Sequence, residues 1–304
     1  MLNGILLTIL TGLLWTGVGV CLTKARRARC HVENFYVVAS IAGLLGLLLW
    51  LLLRGELLPP AWSWFVCGCM VVGAVFNALS NTCTMLNLGQ GNAALYFALS
   101  RMGFSLSFLW SVLVWHEDAR WYNFLGIACL VCAVILTAIA KSGTNLAETQ
   151  LSHRRLLLSL GSTLCSGCSQ VCMVFPSSAM FASQNLPTLP PLVKTALVFS
   201  TNIVFFSIVI ACRRHSAAPC PRRPLVAWAL LWSLLAIGSY AALFAALHHL
   251  GPLNRAGIAF PIGGAVQIFA FALIARCCWK EKLTPLQLIA LALIILGIIA
   301  VRLG

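Results

Sequence analysis

The sequence contains very few acidic residues and few charged residues of either sign. Only 6 of its 304 residues are Asp or Glu, and charged residues make up 9% of the chain, against about 25% in a typical soluble domain. This scarcity excludes an ordinary soluble enzyme, a disordered chain and a secreted disulfide scaffold. Because 61% of the residues are hydrophobic and the mean hydropathy is +0.97, we predict an integral membrane protein.

The 20 Lys and Arg residues lie mainly in short loops between apolar runs. They form no basic stripe with interleaved aromatic residues, so we predict no nucleic-acid partner. Most of them follow odd-numbered apolar runs, beginning with the cluster Lys24, Arg26, Arg27 and Arg29. By the positive-inside rule these loops face the cytoplasm, and both termini face outward. We expect the membrane to be a bacterial inner membrane.

Ten apolar runs are long enough to cross a bilayer, which takes about 20 residues in a helix. They show no alternation of the kind found in barrel strands. The predicted fold class is therefore an all-α polytopic membrane protein. The runs cover residues 3–23, 35–53, 62–87, 91–115, 121–140, 155–175, 190–212, 225–247, 254–278 and 284–303.

The two halves of the chain share a sequence pattern. Five runs are an odd number, so a second copy of the unit enters the membrane from the opposite side. We predict two inverted-topology five-helix repeats, residues 1–140 and 155–304, joined by a linker at 141–154. This architecture is typical of secondary transporters, and chance similarity between Leu- and Ala-rich helices is the alternative. The matching positions are Leu88-Gly89, Asn92 and Ala94 with Leu250-Gly251, Asn254 and Ala256, and Trp115-His116-Glu117 with Trp279-Lys280-Glu281.

The second half carries the segments that most resemble a known family, the EamA type of the drug/metabolite transporter superfamily. These segments are Gly251, Pro261-Ile262-Gly263-Gly264, Trp279-Lys280-Glu281-Lys282-Leu283-Thr284 and Gly297. The resemblance covers the whole chain. It implies a transporter whose central cavity is lined by spans 1, 3, 4, 6, 8 and 9, while spans 5 and 10 support the bundle.

Arg101 lies near the middle of span 4, where a charged side chain is costly and is usually functional. All six acidic residues fall in loops or at span ends, so none is placed to pair with it inside the membrane. We predict that Arg101 binds an anionic group of the substrate. The alternative is a structural arginine that donates to backbone carbonyls. Lys194, near the start of span 7, either adds to this positive field or anchors the helix at the interface.

Further polar and aromatic residues at mid-span positions are predicted to bind the substrate, although helix–helix hydrogen bonding explains each one separately. Asn77 and Asn81 share one face of span 3. A proline and two glycines in the middle of span 9 predict a hinge, because proline removes a helical hydrogen bond. The other predicted binding residues are Trp15, Tyr96, Gln170, Tyr240 and Gln267, and the predicted hinge residues are Pro261, Gly263 and Gly264.

These observations predict a secondary transporter that moves a small polar metabolite, anionic, zwitterionic or neutral, by alternating access. A multidrug or lipophilic-compound exporter of the same superfamily is the alternative. The sequence offers no pair of catalytic groups, so we expect neither an enzyme nor a cofactor. Cys165, Cys168 and Cys172 are interpreted as small packing residues, with a Cu(I) site as the minor alternative. The expected partners are the solute and the lipid, with the chain as a monomer or homodimer.

Overall fold

The computed structural model describes residues 1–54, 63–88, 103–117, 119–142, 153–182, 189–212, 221–279 and 285–303. Within these ranges the regular structure is helical and no strand occurs. Ten helices of three turns or more follow one another along the chain. They are α1 (Leu2–Arg27), α2 (Val32–Arg54), α3 (Trp64–Leu88), α4 (Gly103–Leu113), α5 (Trp121–Ser142), α6 (His153–Val174), α7 (Pro191–Cys212), α8 (Arg222–Leu250), α9 (Ala259–Trp279) and α10 (Pro285–Leu303).

Each predicted span contains one of these helices. Among the boundaries that fall in described residues, the largest difference is in span 9, where α9 begins at Ala259 rather than at residue 254. Two 3₁₀ turns, Gly251–Leu253 and Ala256–Ile258, precede it. Between them Asn254 adopts a left-handed conformation, with φ of 54°, which ends the preceding helical segment. Residues 91–102 of span 4 lie outside the described residues.

The outer surface of the bundle is apolar. Leu53, Trp64 and Leu234 are 76%, 82% and 69% exposed, and a soluble monomer rarely shows large contiguous patches of this kind. Among the residues that the structure describes, six helical segments are long and apolar enough to cross a membrane: Leu2–Arg27, Val32–Leu53, Trp64–Leu86, Leu157–Ser177, Pro191–Cys212 and Arg222–Leu253. The chain is therefore an integral, multi-pass membrane protein.

Helices from the first five pack chiefly against helices from the last five. The helix α1 packs on α8 and α9, and α6 packs on α3 and α4. The helix α2 pairs with α7, and α5 pairs with α10. The apolar core of the bundle is thus shared between the two halves of the chain. The predicted linker 141–154 lies largely outside the described residues, and the division into two repeats stays a prediction.

Glycines allow the two halves to approach each other closely. A Cβ atom added at Gly12 of α1 would stand 2.5 Å from the carbonyl oxygen of Gly263 in α9. A Cβ added at Gly103 of α4 would stand 2.8 Å from the backbone nitrogen of Gly167 in α6. Small residues at such crossings let membrane helices gain van der Waals contact, which drives their association in lipid.

Serine and threonine hydroxyl groups form hydrogen bonds both within single helices and between neighbouring helices. Thr8 Oγ1 donates to the Gly4 carbonyl one turn earlier, at 2.8 Å. Between α3 and α6, Ser162 Oγ lies 3.0 Å from Ser80 Oγ and 2.9 Å from Thr84 Oγ1. All three of these side chains are buried, so the cluster joins two halves of the chain by hydrogen bonds in a medium that offers no water.

One corner joins the α4–α5 connection to the α8–α9 connection. Glu117 Oε2 accepts a hydrogen bond of 2.7 Å from the backbone N–H of Gly257, and Asn254 Nδ2 donates to the carbonyl of His116 at 3.3 Å. Glu117 is buried. The carboxylate therefore satisfies a backbone donor at the start of the segment that leads into α9.

Candidate functional site

A cavity of about 70 Å³ lies between α1, α3, α4, α6, α8 and α9, with one further wall from α2. Its lining combines amides, hydroxyls and aromatic rings. Ligand pockets usually measure about 300–1,000 Å³, so the helices enclose this cavity tightly in the present conformation. We call it the central cavity, and it is lined by Trp15, Val18, Tyr36, Asn77, Asn81, Phe104, Ser166, Ser169, Gln170, Met173, Trp232, Ala236, Ser239, Tyr240, Leu243, Phe260, Gly264 and Gln267.

One side of the central cavity is formed by α1 and α9, which exchange hydrogen bonds. Gln267 Nε2 donates to the Trp15 carbonyl at 3.1 Å, and Thr16 Oγ1 donates back to the Gln267 carbonyl at 3.2 Å. The Trp15 ring stacks on Phe260 with 5.9 Å between centroids. These contacts fix the Trp15 indole as an aromatic wall of the cavity.

Helices α3 and α8 also line the cavity. Asn77 Nδ2 donates to the Tyr240 hydroxyl at 2.8 Å. Asn81, four residues later on the same face of α3, also lines the cavity. The Asn81 amide makes no hydrogen bond with any residue that the structure describes. Asn81 therefore offers the cavity one acceptor and two donors that are free to bind a solute.

Helices α4 and α6 meet through the amide of Gln170. Its Oε1 accepts from Ser107 Oγ at 3.0 Å, and its Nε2 donates to Ser166 Oγ at 3.1 Å. Because both ends of the amide are engaged, Gln170 shapes the cavity wall more than it offers free hydrogen-bonding groups. The same helix contributes Ser169, whose hydroxyl lies 4.0 Å from the sulfur of Met173.

Two further polar atoms of cavity-lining residues have no partner in the described part of the chain. They are Trp232 Nε1 and Gln267 Oε1. Buried polar groups in native proteins are nearly always paired, so an unpaired donor and acceptor beside a cavity are suited to bind a solute or water. Sequence reasoning missed Trp232 and its neighbour Tyr36. Both lie in a ring cluster with Phe206, where Tyr36 stacks at 4.8 Å, and no spacing distinguishes them from interfacial aromatic residues.

The structure brings together most of the residues predicted to bind the substrate. Six of them line the central cavity: Trp15, Asn77, Asn81, Gln170, Tyr240 and Gln267. The other two, Tyr96 and Arg101, lie outside the described residues. Phe104, three positions after Arg101 in the sequence, lines the cavity. Among the described lining residues none carries a charge.

The structure shows no interruption of the helix at Pro261, and a hinge at Pro261, Gly263 and Gly264 stays a prediction. The helix α9 runs without a break from Ala259 to Trp279, and Pro261 lies in its first turn, where a missing N–H costs no hydrogen bond. Gly264 lines the cavity, and a Cβ added there would stand 3.1 Å from the Phe104 ring. A Cβ added at Gly263 would stand 3.2 Å from the Trp15 ring. These glycines therefore permit close packing of aromatic side chains.

The cysteines form no metal site in the described residues, where no group of three His, Cys, Asp or Glu side chains is placed to hold an ion. Cys165, Cys168 and Cys172 are free thiols on α6 and are partly exposed. Cys172 Cβ is 3.2 Å from the position of a Cβ added at Gly73, so this thiol packs where α6 crosses α3. The described part of the chain thus supports the interpretation as small packing residues.

The comparison with known families identifies the first half of the chain. Residues 2–139 match the model of the EamA-like transporter family. Over this stretch the chain is similar to EamA-like transporters. This confirms the resemblance predicted from the sequence, and EamA is a family of transporters and not of enzymes. No curated protein matches the sequence significantly.

A solved crystal structure is similar to this EamA-like chain over nearly its whole length. The alignment covers 99% of this chain and 98% of the other, with a TM-score of 0.71 and 15% sequence identity. At this identity the likeness shows the fold alone. The shared fold spans both halves of this chain.

Proposed function

We propose that the chain is a secondary transporter that moves a small polar metabolite through the central cavity by alternating access. The observation that carries the proposal is the convergence of six mid-helix polar and aromatic side chains, from helices of both halves, on one cavity. Polar groups are costly at this depth unless they face a cavity or another helix. The EamA match supports transport as the activity.

The packing of the helices supports two inverted repeats. In the proposed repeat, α1 corresponds to α6, α2 to α7, and so on to α5 and α10. Under this correspondence the pair α1–α8 becomes α6–α3, and the pair α1–α9 becomes α6–α4; all four pairs are in contact. The pairs α2–α7 and α5–α10 map onto themselves. A bundle with this symmetry has two related conformations, in which the cavity opens to opposite sides. Because the present cavity is small, the halves must separate to admit a metabolite.

Arg101 sets the proposed substrate charge. Arg101 precedes the cavity-lining Phe104 by three positions in the sequence, and we propose that it faces the same cavity. All described lining residues are neutral, and no acidic residue of the sequence lies mid-span. A cavity with one guanidinium and several amides suits a carboxylate or phosphate that carries further polar groups. We therefore propose an anionic or zwitterionic metabolite first and a neutral polar one second.

The aromatic lining favours one alternative, a multidrug or lipophilic-compound exporter. Trp15, Tyr36, Trp232, Tyr240 and Phe260 all line the cavity, and such rings bind flat apolar molecules and cations. The two functions differ in their dependence on Arg101. An Arg101→Ala variant that still moves cationic dyes, and moves no anions, would favour the exporter.

The proposed orientation places both termini outside a bacterial inner membrane. The last turn of α1 carries Lys24, Arg26 and Arg27, which supports a cytoplasmic position for the α1–α2 turn. A reporter fused to the C-terminus tests this, because alkaline phosphatase is active only outside and green fluorescent protein only inside. Fluorescence of the second fusion would contradict the orientation.

The experiment that tests the function measures thermal stability of the purified protein in detergent against amino acids, organic acids, nucleotides, sugars and cationic dyes. A ligand raises the free energy of unfolding by about RT ln(1 + [L]/Kd). The solutes that stabilise are then assayed for uptake into proteoliposomes. We expect a small polar solute to do both, and a chain that moves none of these classes would refute the proposal.

A matched pair of variants on α3 ties the activity to the central cavity. Asn81→Ala removes a cavity-lining amide, whereas Leu79→Ala alters a side chain that is 37% exposed on the outside of the bundle. We expect Asn81→Ala to weaken solute binding about tenfold, the value of one hydrogen bond, and Leu79→Ala to leave it unchanged. Equal affinities in the two variants would place the binding site elsewhere.

A further inference from the structure

A second cavity lies at one end of the bundle and is larger than the central one. It has a volume of about 260 Å³ and is bounded by the end of α6, the start of α7 and the end of α8. We call it the end chamber. Its lining residues are Pro176, Ser177, Ser178, Phe181, Leu189, Pro191, Lys194, Phe244, Leu247, His248, Gly251 and Pro252.

Lys194 is the charged residue of the end chamber. Its side chain is only 5% exposed, which argues against an interfacial anchor. Its Nζ lies 5.6 Å from the centre of the Phe244 ring. In the described part of the chain it has no hydrogen bond or ion pair. A buried ammonium group without an anionic partner is costly, and a chamber beside it provides space for such a partner.

The stretch that contains all the lining residues of the chamber has no acidic residue. None of the six acids falls between residues 175 and 253, the stretch that builds the chamber. The N-terminus of α7, a helix of 22 residues, adds a partial positive charge at Pro191. His248 is exposed at the rim of the chamber. The chamber thus contains a buried positive charge and the positive end of a helix.

The rest of the wall is mostly apolar and selects among anions. Phe181, Leu189, Phe244 and Leu247 line it, and such a surface favours an anion with an apolar body over a strongly hydrated inorganic ion. The volume lies just below the range of about 300–1,000 Å³ found for drug-sized ligands. A small organic carboxylate matches both the charge and the size.

Helix α8 connects the end chamber to the central cavity. Phe244 lines the chamber, and Tyr240, one turn earlier, lines the cavity. Their rings stack with 6.2 Å between centroids and 19° between planes. The Tyr240 hydroxyl accepts from Asn77 on the cavity side. The two compartments therefore share one face of α8 and are divided by this pair of rings.

We propose that the end chamber is a second binding site, in which Lys194 binds the carboxylate of a small organic anion outside the Tyr240–Phe244 pair. The proposed binding at Lys194 depends only on the structure of the end chamber and not on the proposed transport function. Its role as the vestibule through which solute reaches the central cavity rests on the proposed transport function.

The test measures thermal stability of the purified protein with isobutyrate and with its neutral analogue isobutyramide, at constant ionic strength. We expect isobutyrate to stabilise the wild type and isobutyramide to have no effect. Lys194→Met should raise the half-saturating isobutyrate concentration about ten- to a hundredfold, as expected for loss of a charge-assisted hydrogen bond. Lys24→Met, at the basic end of α1, is the control and should bind isobutyrate as the wild type does.

The unliganded variant separates a binding role from a structural one. Because the buried ammonium costs free energy, Lys194→Met without ligand should be at least as stable as the wild type. A less stable Lys194→Met would indicate a structural lysine and overturn the proposal. Equal isobutyrate binding in wild type and Lys194→Met, or none in the wild type, would overturn it as well.

Two further arms identify the source of the anion and keep the two proposals apart. Inorganic phosphate is tested as a competitor of isobutyrate in detergent, and isobutyrate binding is compared between phosphatidylglycerol and phosphatidylcholine nanodiscs. Tighter binding of inorganic phosphate than of isobutyrate would assign the chamber to a free phosphate. Loss of isobutyrate binding in phosphatidylglycerol nanodiscs alone would assign it to an anionic lipid headgroup, and either result would overturn the carboxylate. Arg101→Gln should retain isobutyrate binding at the chamber while it loses solute binding at the central cavity. If no solute is ever transported, the dependence on Lys194 remains decisive for the chamber.

Discussion

Adding a single methyl group at Gly12 tests whether the close contact between α1 and α9 holds the two halves together. The new Cβ would stand 2.5 Å from the Gly263 carbonyl oxygen and 2.7 Å from Val266 Cβ. Neither atom belongs to the flexible end of a side chain. Ordinary contact begins near 3.4 Å, so Gly12→Ala must move the helices apart by about 0.9 Å.

The control is Gly46→Ala on α2, where an added Cβ meets nothing within 4 Å. Both variants gain the same helix propensity, about 0.8–1.0 kcal/mol in water, so their difference isolates the packing. Overpacking costs about 1–3 kcal/mol. We therefore expect Gly12→Ala to be about 1–3 kcal/mol less stable than Gly46→Ala.

The assay heats each detergent-solubilised variant and measures the fraction that still elutes as a monodisperse peak in size-exclusion chromatography. Gly46→Ala should melt at or slightly above the wild-type temperature, and Gly12→Ala several degrees below Gly46→Ala. Indistinguishable melting temperatures would show that the α1–α9 contact is looser than the structure indicates and would refute the packing argument.

Two other predictions concern polar contacts between the halves, and both are checked by the same melting assay. Glu117→Ala leaves the N–H of Gly257 without its acceptor and should cost about 1.5–3 kcal/mol, whereas Glu117→Gln keeps an acceptor oxygen and should lose less; equal losses would count against the hydrogen bond. Ser162→Ala removes the contact with Ser80 and should cost about 0.6–1.7 kcal/mol, while Ser207→Ala, exposed on α7, should change nothing.

The helices and their polar lining were accessible to sequence reasoning for a simple physical reason. Membrane helices satisfy their own backbone, so a run of apolar residues is sufficient to place one. The same solvent makes polar residues rare, so Asn77, Asn81 and Gln170 were conspicuous at mid-span. They proved to surround one cavity because a group that lipid rejects must turn toward the interior of the bundle.

Other features depend on contacts that one-dimensional spacing does not contain. Pro261 was expected to break α9, but whether a proline breaks a helix depends on which turn it occupies, and two 3₁₀ turns moved the start of α9 to Ala259. Trp232 and Tyr36 line the cavity, but aromatic residues are also common in membrane helices for other reasons, so only the packing distinguishes these two. Lys194 is buried beside a chamber that Phe181 and Leu189 help to line, and the sequence around these two residues has no periodicity that indicates where they pack.

The pairing of α1 with α8 and of α3 with α6 has a consequence for how the protein is made. The partner of Asn77 is the Tyr240 hydroxyl, which lies 163 residues further along the chain. At about 5–20 residues per second of synthesis, it emerges roughly 8–30 s after Asn77 has entered the membrane. During that interval the Asn77 amide lacks its native partner, so the first helices either expose it to lipid or stay bound to the insertion machinery. Until α8 has inserted, the N-terminal half is therefore incompletely packed and open to recognition by membrane proteases and chaperones.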